Sequence, residues 1–261
     1  MTYCTIMHTQ VPKLPLSAVV ITHNEADRIG RCVASLLPVC AEVIVLDSGS
    51  SDDTVQIARD LGARVEHRDW DGFARQKNAA IAMASKDWVI LLDADEWLEA
   101  DAQQALRALF AGELESADVW LLQRRTHWLG QPMRYGSFSR EPIERLFRSH
   151  LRHADLPVHE YLDTQGQRVR ASQIRLEHDT ARNAREYREK LARYAALWAK
   201  ARAGKRGGAV RGFLAAAAYA IKNLILRGGI LDGRKGLAFH REHMRYAALK
   251  YRLLAGQNAR H

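Results

Sequence analysis

The amino-acid sequence predicts an α/β fold: a mostly parallel, Rossmann-like sheet followed by a basic helical C-terminal region. Three observations predict it. Short β-branched apolar runs alternate with helical patterns over residues 16–123, the order a parallel sheet with crossover helices requires. Aspartates stand at the ends of two of those runs. Charge is also segregated: residues 1–181 carry 20 Lys+Arg against 26 Asp+Glu, and residues 182–261 carry 19 against 4.

Each element follows from its own pattern. Residues 1–15 lack periodicity and are expected to be a flexible N-terminus. Residues 16–22 (LSAVVIT) read as a buried strand. Asn24, Glu25 and Asp27 open a helix to about Leu37, where Pro38 stops it. Residues 42–47 (EVIVLD) are a second strand, ending in the turn Ser48-Gly49-Ser50-Ser51. A helix over 54–61, a strand over 64–67 and a helix over 73–84 lead to a fourth strand, 88–92 (WVILL), which runs into Asp93-Ala94-Asp95-Glu96. A helix over 101–111 and a strand over 119–123 complete this half. Residues 124–181 read as irregular loops and small antiparallel strands, rich in Arg and His, and are expected to bind an acceptor. Residues 182–261 contain three amphipathic faces, of which the second carries Val210, Phe213, Leu214, Ile221 and Ile225.

Bulk properties exclude several classes. The length of 261 residues and 47% hydrophobic content fit a globular chain with a sizeable core. The three cysteines, Cys4, Cys32 and Cys40, follow no metal spacing, so a reducing compartment is expected. The first residues lack a basic start followed by an apolar run, and no stretch of roughly 18 uncharged apolar residues occurs. A cytoplasmic location without a spanning helix is therefore expected. No zinc pattern, RNP-like motif, G-x-G-x-x-G or Walker loop appears, which argues against a nucleic-acid-binding protein or a dehydrogenase.

The chemistry-bearing residues cluster at strand ends. In doubly wound sheets ligands bind beyond the carboxyl ends of the strands. Asp47, Asp93 and Asp95 would all gather there, where an anionic nucleotide is otherwise repelled. A divalent cation, Mg²⁺ or Mn²⁺, resolves that conflict through oxygen ligands.

The segments AVVITHNEADRIGRCVASL, EVIVLDSGSSDDT and WVILLDADEWL, in this order, resemble the nucleotide-binding half of glycosyltransferase family 2, the inverting GT-A fold. The resemblance implies that Thr22, Asn24 and Glu25 line the nucleotide pocket, that Asp47 contacts the base, and that Asp93 and Asp95 form the metal motif. GFARQKNAAI also matches the family pattern, and places Arg75, Lys77 and Asn78 near the donor. RRTHWLGQPMRYGS, PIERLFR, VHEYL and RLEHD are similar to the lipopolysaccharide-core β-1,4-glucosyltransferase branch. That branch implies transfer of a hexose, glucose from UDP-glucose, to an inner-core heptose at the inner membrane face. An acceptor of polyprenyl-phosphate type is the alternative within the fold.

A nucleotide diphosphate leaves readily, so the remaining need is a base for the attacking hydroxyl. Glu160 is the first candidate, with Glu141 and Asp155 behind it. His159 is a candidate metal ligand, and His178 could ligate the ion or orient the base. Arg145 and Arg148 could clamp acceptor phosphate, because guanidinium forks match phosphate oxygens. The C-terminal basic helices are expected either to lie on an anionic membrane surface or to pack on the catalytic half.

Overall fold

The computed structural model describes residues 12–154 and 161–258. A parallel sheet forms first: β1 (Leu14–Thr22), β2 (Cys40–Asp47), β3 (Arg64–His67) and β4 (Trp88–Asp93), in the spatial order β3-β2-β1-β4. The crossovers carry α1 (Ile29–Leu36), α2 (Thr54–Asp60) and α3 (Phe73–Ala82). Period-two alternation on β1 divides the core. Leu16, Ala18 and Val20 pack with Ile29, Val33 and Leu36 of α1, while Val19 and Ile21 face Ala80 and Ile81 of α3. Strands covered on both faces favour apolar side chains, and β2 over 43–46 and β4 over 88–92 are wholly apolar up to Asp47 and Asp93.

The sheet continues beyond β4. After β5 (Glu96–Trp97) and α4 (Ala100–Ala111) come β6 (Val119–Trp128), β7 (Gln131–Pro132), β8 (Glu141–Arg148), β9 (His153–Ala154), β10 (Tyr161–Leu162) and β11 (Val169–Asp179). Strand β8 inserts antiparallel between β4 and β6; β11 then lies parallel to β6 and pairs antiparallel with β5. The sheet therefore starts parallel and becomes mixed. β9 and β10 form a separate two-stranded ribbon.

Several expectations shift. β1 begins at Leu14, whose N–H bonds the Val39 carbonyl at 2.8 Å, so ordered structure starts before residue 16. The first helix starts at Ile29, not near Asn24, because Asn24 adopts a left-handed backbone (φ 53°) that a helix cannot hold. Residues 124–181 contain two long strands where loops were expected. Their charged residues hide the alternation: on β11 Ile174 and Leu176 are buried on either side of half-buried Arg175, and Glu177 is buried as well. The boundary at 123/124 consequently falls inside β6, and one sheet serves both halves.

The C-terminal region is helical as expected: α5 (Ala184–Lys200), α6 (Ala209–Ala220) continuing into a π-helical turn (Ile221–Leu226), a 3-10 turn (Gly229–Asp232) and α7 (Gly233–Asn258). Asn183 caps α5, its side chain accepting from the Glu186 N–H at 2.9 Å. Tyr187 and Leu191 of α5 join Phe239 of α7, Trp128 and Met133 in a third core. The second apolar face is the exception: it stays at the surface. The segment Ala209–Leu226 has a mean hydropathy of 1.4, is long and apolar enough to cross a membrane by length and composition, and is only 11% buried. Arg211 and Lys222 interrupt the apolar run, as the sequence shows, without breaking the helix.

Candidate active site

Strand register brings the expected acids to one edge. Thr22 pairs with Asp47, Ile21 with Asp93, and Asp47 with His67, so four strand ends terminate side by side. The loops leaving β1 and β2 are stitched together. The Asn24 N–H donates to Ser50 Oγ (2.8 Å), Asn24 Oδ1 accepts from the Ser51 N–H (2.8 Å), and the Glu25 N–H donates to Thr54 Oγ1 (2.8 Å). The left-handed turn at Asn24 makes that stitch possible, because it directs the backbone and the short amide toward the neighbouring loop. Asp47 is buried, and its Oδ2 accepts from the N–H groups of Gly49 and Ser50 at 2.9 Å each while Oδ1 accepts from Ser50 Oγ. Its carboxylate thus builds the loop.

Asp93 and Asp95 lie on the turn between β4 and β5. Glu96 Oε2 accepts the Asp93 N–H at 3.1 Å, and the Asp95 carbonyl accepts the Asp179 N–H at 2.9 Å, so both adjoining strands grip the turn. The two side chains diverge. Asp93 pairs with the buried guanidinium of Arg145, which also holds Glu96 at 2.8 Å. Burial pushes the Asp93 carboxyl upward, but Arg145 and then Lys77 outweigh it and hold the group well below the usual carboxylate range. Asp95 faces His178 on β11, with Nε2 at 3.4 Å from Oδ2. Burial opposes its charge too, and His178 overcomes it, so its pKa is lowered.

These residues open on a cleft of about 1350 Å³, whose walls include Thr22, Glu25, Lys77, Asp95, Arg124 and His178. Arg124 joins the two sides, pairing with Glu141 at 2.6 Å and Glu96 at 3.4 Å. Trp70 and Phe73, in edge-to-face contact at 4.6 Å, stand half-exposed along it. Away from the aspartates the cleft runs along α5, past Tyr194, Leu197, Trp198 and Arg202. Arg182 ties this helical wall to the β1 loop, donating to Glu25 and Asp27 at 2.8 Å each. Burial raises the pKa of Glu25 against the opposing pull of Arg28 and Arg182. A second cavity of about 170 Å³ abuts Asp93 and is lined by Lys77, Arg145, His153 and Tyr161.

Not every expected residue comes to the cleft. Arg75 points from the exposed face of α3. Asn78 spends its amide on the His153 backbone, donating to the carbonyl at 2.9 Å and accepting from the N–H at 2.7 Å; it joins α3 to β9. Arg145 is buried beneath Asp93 and is no surface clamp. Arg148 lies at the opposite end of β4, paired with Trp88 in the strand register, over the Trp88 ring and bound to Glu115. His159 and Glu160 lie outside the described residues. Conversely, Arg124 and the α5 wall escaped the sequence reading, since neither stands at the end of an apolar strand.

The fit to a divalent cation rests on Asp95 and His178. Asp95 Oδ2 and His178 Nε2 face each other at 3.4 Å, a carboxylate oxygen and a ring nitrogen close enough to share an ion, while His178 Nδ1, on the far side of the ring, is buried without a hydrogen-bond partner. Thr22 Oγ1 is another buried polar atom without a partner on the same cleft. Asp93 is committed to Arg145 and does not join them. Among the described residues no group of three or more His, Cys, Asp or Glu is arranged to hold a metal ion.

The chain is similar to several known proteins. An uncharacterized glycosyltransferase of Rickettsia felis is 45% identical over 96 residues, which are 37% of this chain and 34% of that protein. The lipopolysaccharide core biosynthesis glycosyltransferase LpsC of Rhizobium meliloti is 38% identical over 125 residues, 46% of each chain. This chain thus spans a third to a half of the length of these curated relatives. Among solved structures, S. aureus TarS 1-349 in complex with UDP-GlcNAc aligns at a TM-score of 0.48 and 15% identity, covering 71% of this chain and 66% of that one. Residues 17–165, from the first parallel strand through the β9–β10 ribbon, match the family described as Glycosyl transferase family 2. The chain belongs to glycosyltransferase family 2.

Proposed function

We propose that this glycosyltransferase moves a hexose, glucose from UDP-glucose, with inversion onto an inner-core heptose of a lipopolysaccharide-type acceptor at the inner face of the membrane. The observation that carries the reading is one continuous cleft. It joins Thr22, Glu25 and Asp95 at the strand ends to an aromatic, cationic wall on α5. The lipopolysaccharide acceptor draws support from the likeness to LpsC.

The donor diphosphate would lie against the strand ends, where Lys77 and Arg124 supply positive charge in a largely buried setting. Asp95 and His178 are the residues that would hold a divalent cation; an imidazole beside a carboxylate suits Mn²⁺ better than Mg²⁺. Bound there, the ion would neutralise charge on the diphosphate. Asp93 acts through Arg145 and Glu96 to fix the turn that presents Asp95. Trp70 and Phe73 offer apolar ring surface to the donor base or sugar. Tyr194, Trp198 and Arg202 offer ring faces and a cation to an acidic saccharide.

Glu160 is the proposed base. Its competitor Glu141 is tied to Arg124 at 2.6 Å. His153 and Tyr161, described residues on either side of Glu160 in sequence, line the small cavity against Asp93. Glu160→Gln should lower turnover by about a hundredfold or more while leaving donor affinity intact, as measured by kcat and calorimetric Kd. Unchanged turnover would reassign the base.

A second reading changes only the acceptor, to a polyprenyl phosphate. The apolar segment Ala209–Leu226 favours a lipid-linked acceptor of some kind. Incubation with UDP-glucose and either heptose-terminated lipopolysaccharide or polyprenyl phosphate separates the two. The first reading expects a β-linked hexose on heptose, and product only on polyprenyl phosphate would replace it.

A further inference from the structure

The exposed apolar segment after α5 has a definite shape. Phe213 and Leu214 on α6, Ile225 and Leu226 on the π-helical turn, and Ile230 and Leu231 on the 3-10 turn are 57–76% exposed. With Ile221, seven large apolar side chains are exposed within 19 residues, more than scattered surface hydrophobicity, and such clustering marks an interaction surface.

The opposite side of the same segment is fastened. Gly212 meets the α7 backbone so closely that an added Cβ would lie 2.7 Å from the Ala248 carbonyl oxygen. Asn223 is buried and accepts from the Ser137 N–H at 3.0 Å. Asp232 is buried and accepts from the N–H groups of Arg134 and Tyr135 at 2.9 and 3.2 Å. Threading Ala209–Leu226 through a bilayer would strand these buried polar groups in hydrocarbon, where each unsatisfied one is costly. The segment is therefore built to lie along a surface rather than cross it.

Charge selects the surface. Residues 190–231 contain nine Lys/Arg and no Asp or Glu. Arg211, Lys222, Arg227 and Arg234 are all exposed on or beside the apolar turns. A second copy of the chain would bring like charges face to face; an anionic lipid leaflet would pair with them.

We infer that the α6–π–3-10 segment is a monotopic membrane-docking surface, inserting Phe213, Leu214, Ile225, Leu226, Ile230 and Leu231 into the headgroup boundary of an anionic bilayer. It rests on the membrane-side acceptor of the proposed function and names the surface that brings the enzyme there. The fold of this region agrees: α6 packs on α7, and α7 packs on α5, whose aromatic wall lines the cleft.

The test is cosedimentation of the full chain with vesicles of phosphatidylglycerol and phosphatidylethanolamine, alongside phosphatidylcholine vesicles. Wild type should bind the anionic vesicles at least tenfold more tightly than the neutral ones. Leu226→Glu with Ile230→Glu should weaken that binding at least tenfold, with unchanged far-UV circular dichroism and unchanged UDP-glucose hydrolysis. Bound protein should be released by alkaline carbonate. Wild type that ignores anionic vesicles, a double variant that binds as wild type does, or protein that resists carbonate would each overturn the inference. A concentration-dependent dimer abolished by the double variant, without vesicle binding, would make the surface a self-association face instead. Vesicle binding without turnover of any nucleotide sugar would sink the proposed function and leave the docking surface standing.

Discussion

Arg145 is 3% exposed between Asp93 and Glu96. Removing it leaves the fully buried Glu96 with only Arg124, at 3.4 Å, beside an unpaired Asp93 at the cleft wall. Breaking such an arrangement from one side costs about 3–5 kcal/mol. Arg145→Met should therefore lower stability by that order in denaturant titration, and should also lower activity by loosening the turn that carries Asp95. A variant as stable as wild type would show that water already screens the pair. Legibility divides sharply here. Asp93 and Asp95 could be read from sequence because each ends or follows a buried apolar strand, a place where an acid needs a reason. Arg145 could be picked out, but its role could not: its partner lies 52 positions earlier, across the β4–β8 pairing. Arg148, three positions on, looks equivalent in sequence and lies at the far end of the strand.

At the scale of elements, α5 and α7 meet through a buried ring cluster. Tyr187 and His243 approach at 2.5 Å between Oη and Nε2, and Phe239 stacks on Tyr187 with ring centroids 5.6 Å apart. Burial, reinforced by His240, pushes the His243 pKa down to about 3. The folded state thus resists a proton that the unfolded chain accepts near the ordinary histidine value of about 6.5. Above that value neither state binds it and stability is unaffected. As pH falls from there toward 3, stability is lost at about 1.4 kcal/mol per pH unit from this group. His243→Phe should flatten the fall in Tm between pH 6 and pH 4; an unchanged slope would place the acid sensitivity elsewhere. The periodicity of these helices was visible in sequence. Which of the three apolar faces would be covered was not, because periodicity reports amphipathic character and not the partner. The extent of β8 and β11 was missed for a related reason: Glu and Arg on β8, and Arg, Glu and His on β11, break the apolar alternation and left only small antiparallel strands and loops to be expected.

Across the whole molecule, a mildly acidic sheet domain carries a strongly basic helical appendage, and the cleft lies where they meet. The parallel half was predictable from its alternating runs. The mixed half was not, since β8 enters the sheet out of sequence order and only tertiary pairing with β4 and β6 places it. The account depends on a nucleotide sugar and a divalent cation meeting at Asp95 and His178. Calorimetric titration of UDP-glucose, with and without Mn²⁺, into wild type and Asp95→Ala tests this most directly. Wild type should bind the donor at least tenfold more tightly with Mn²⁺, and the folded variant should lose that gain together with transfer activity. An Asp95→Ala protein that binds as tightly as wild type in Mn²⁺ and still transfers sugar would contradict the account.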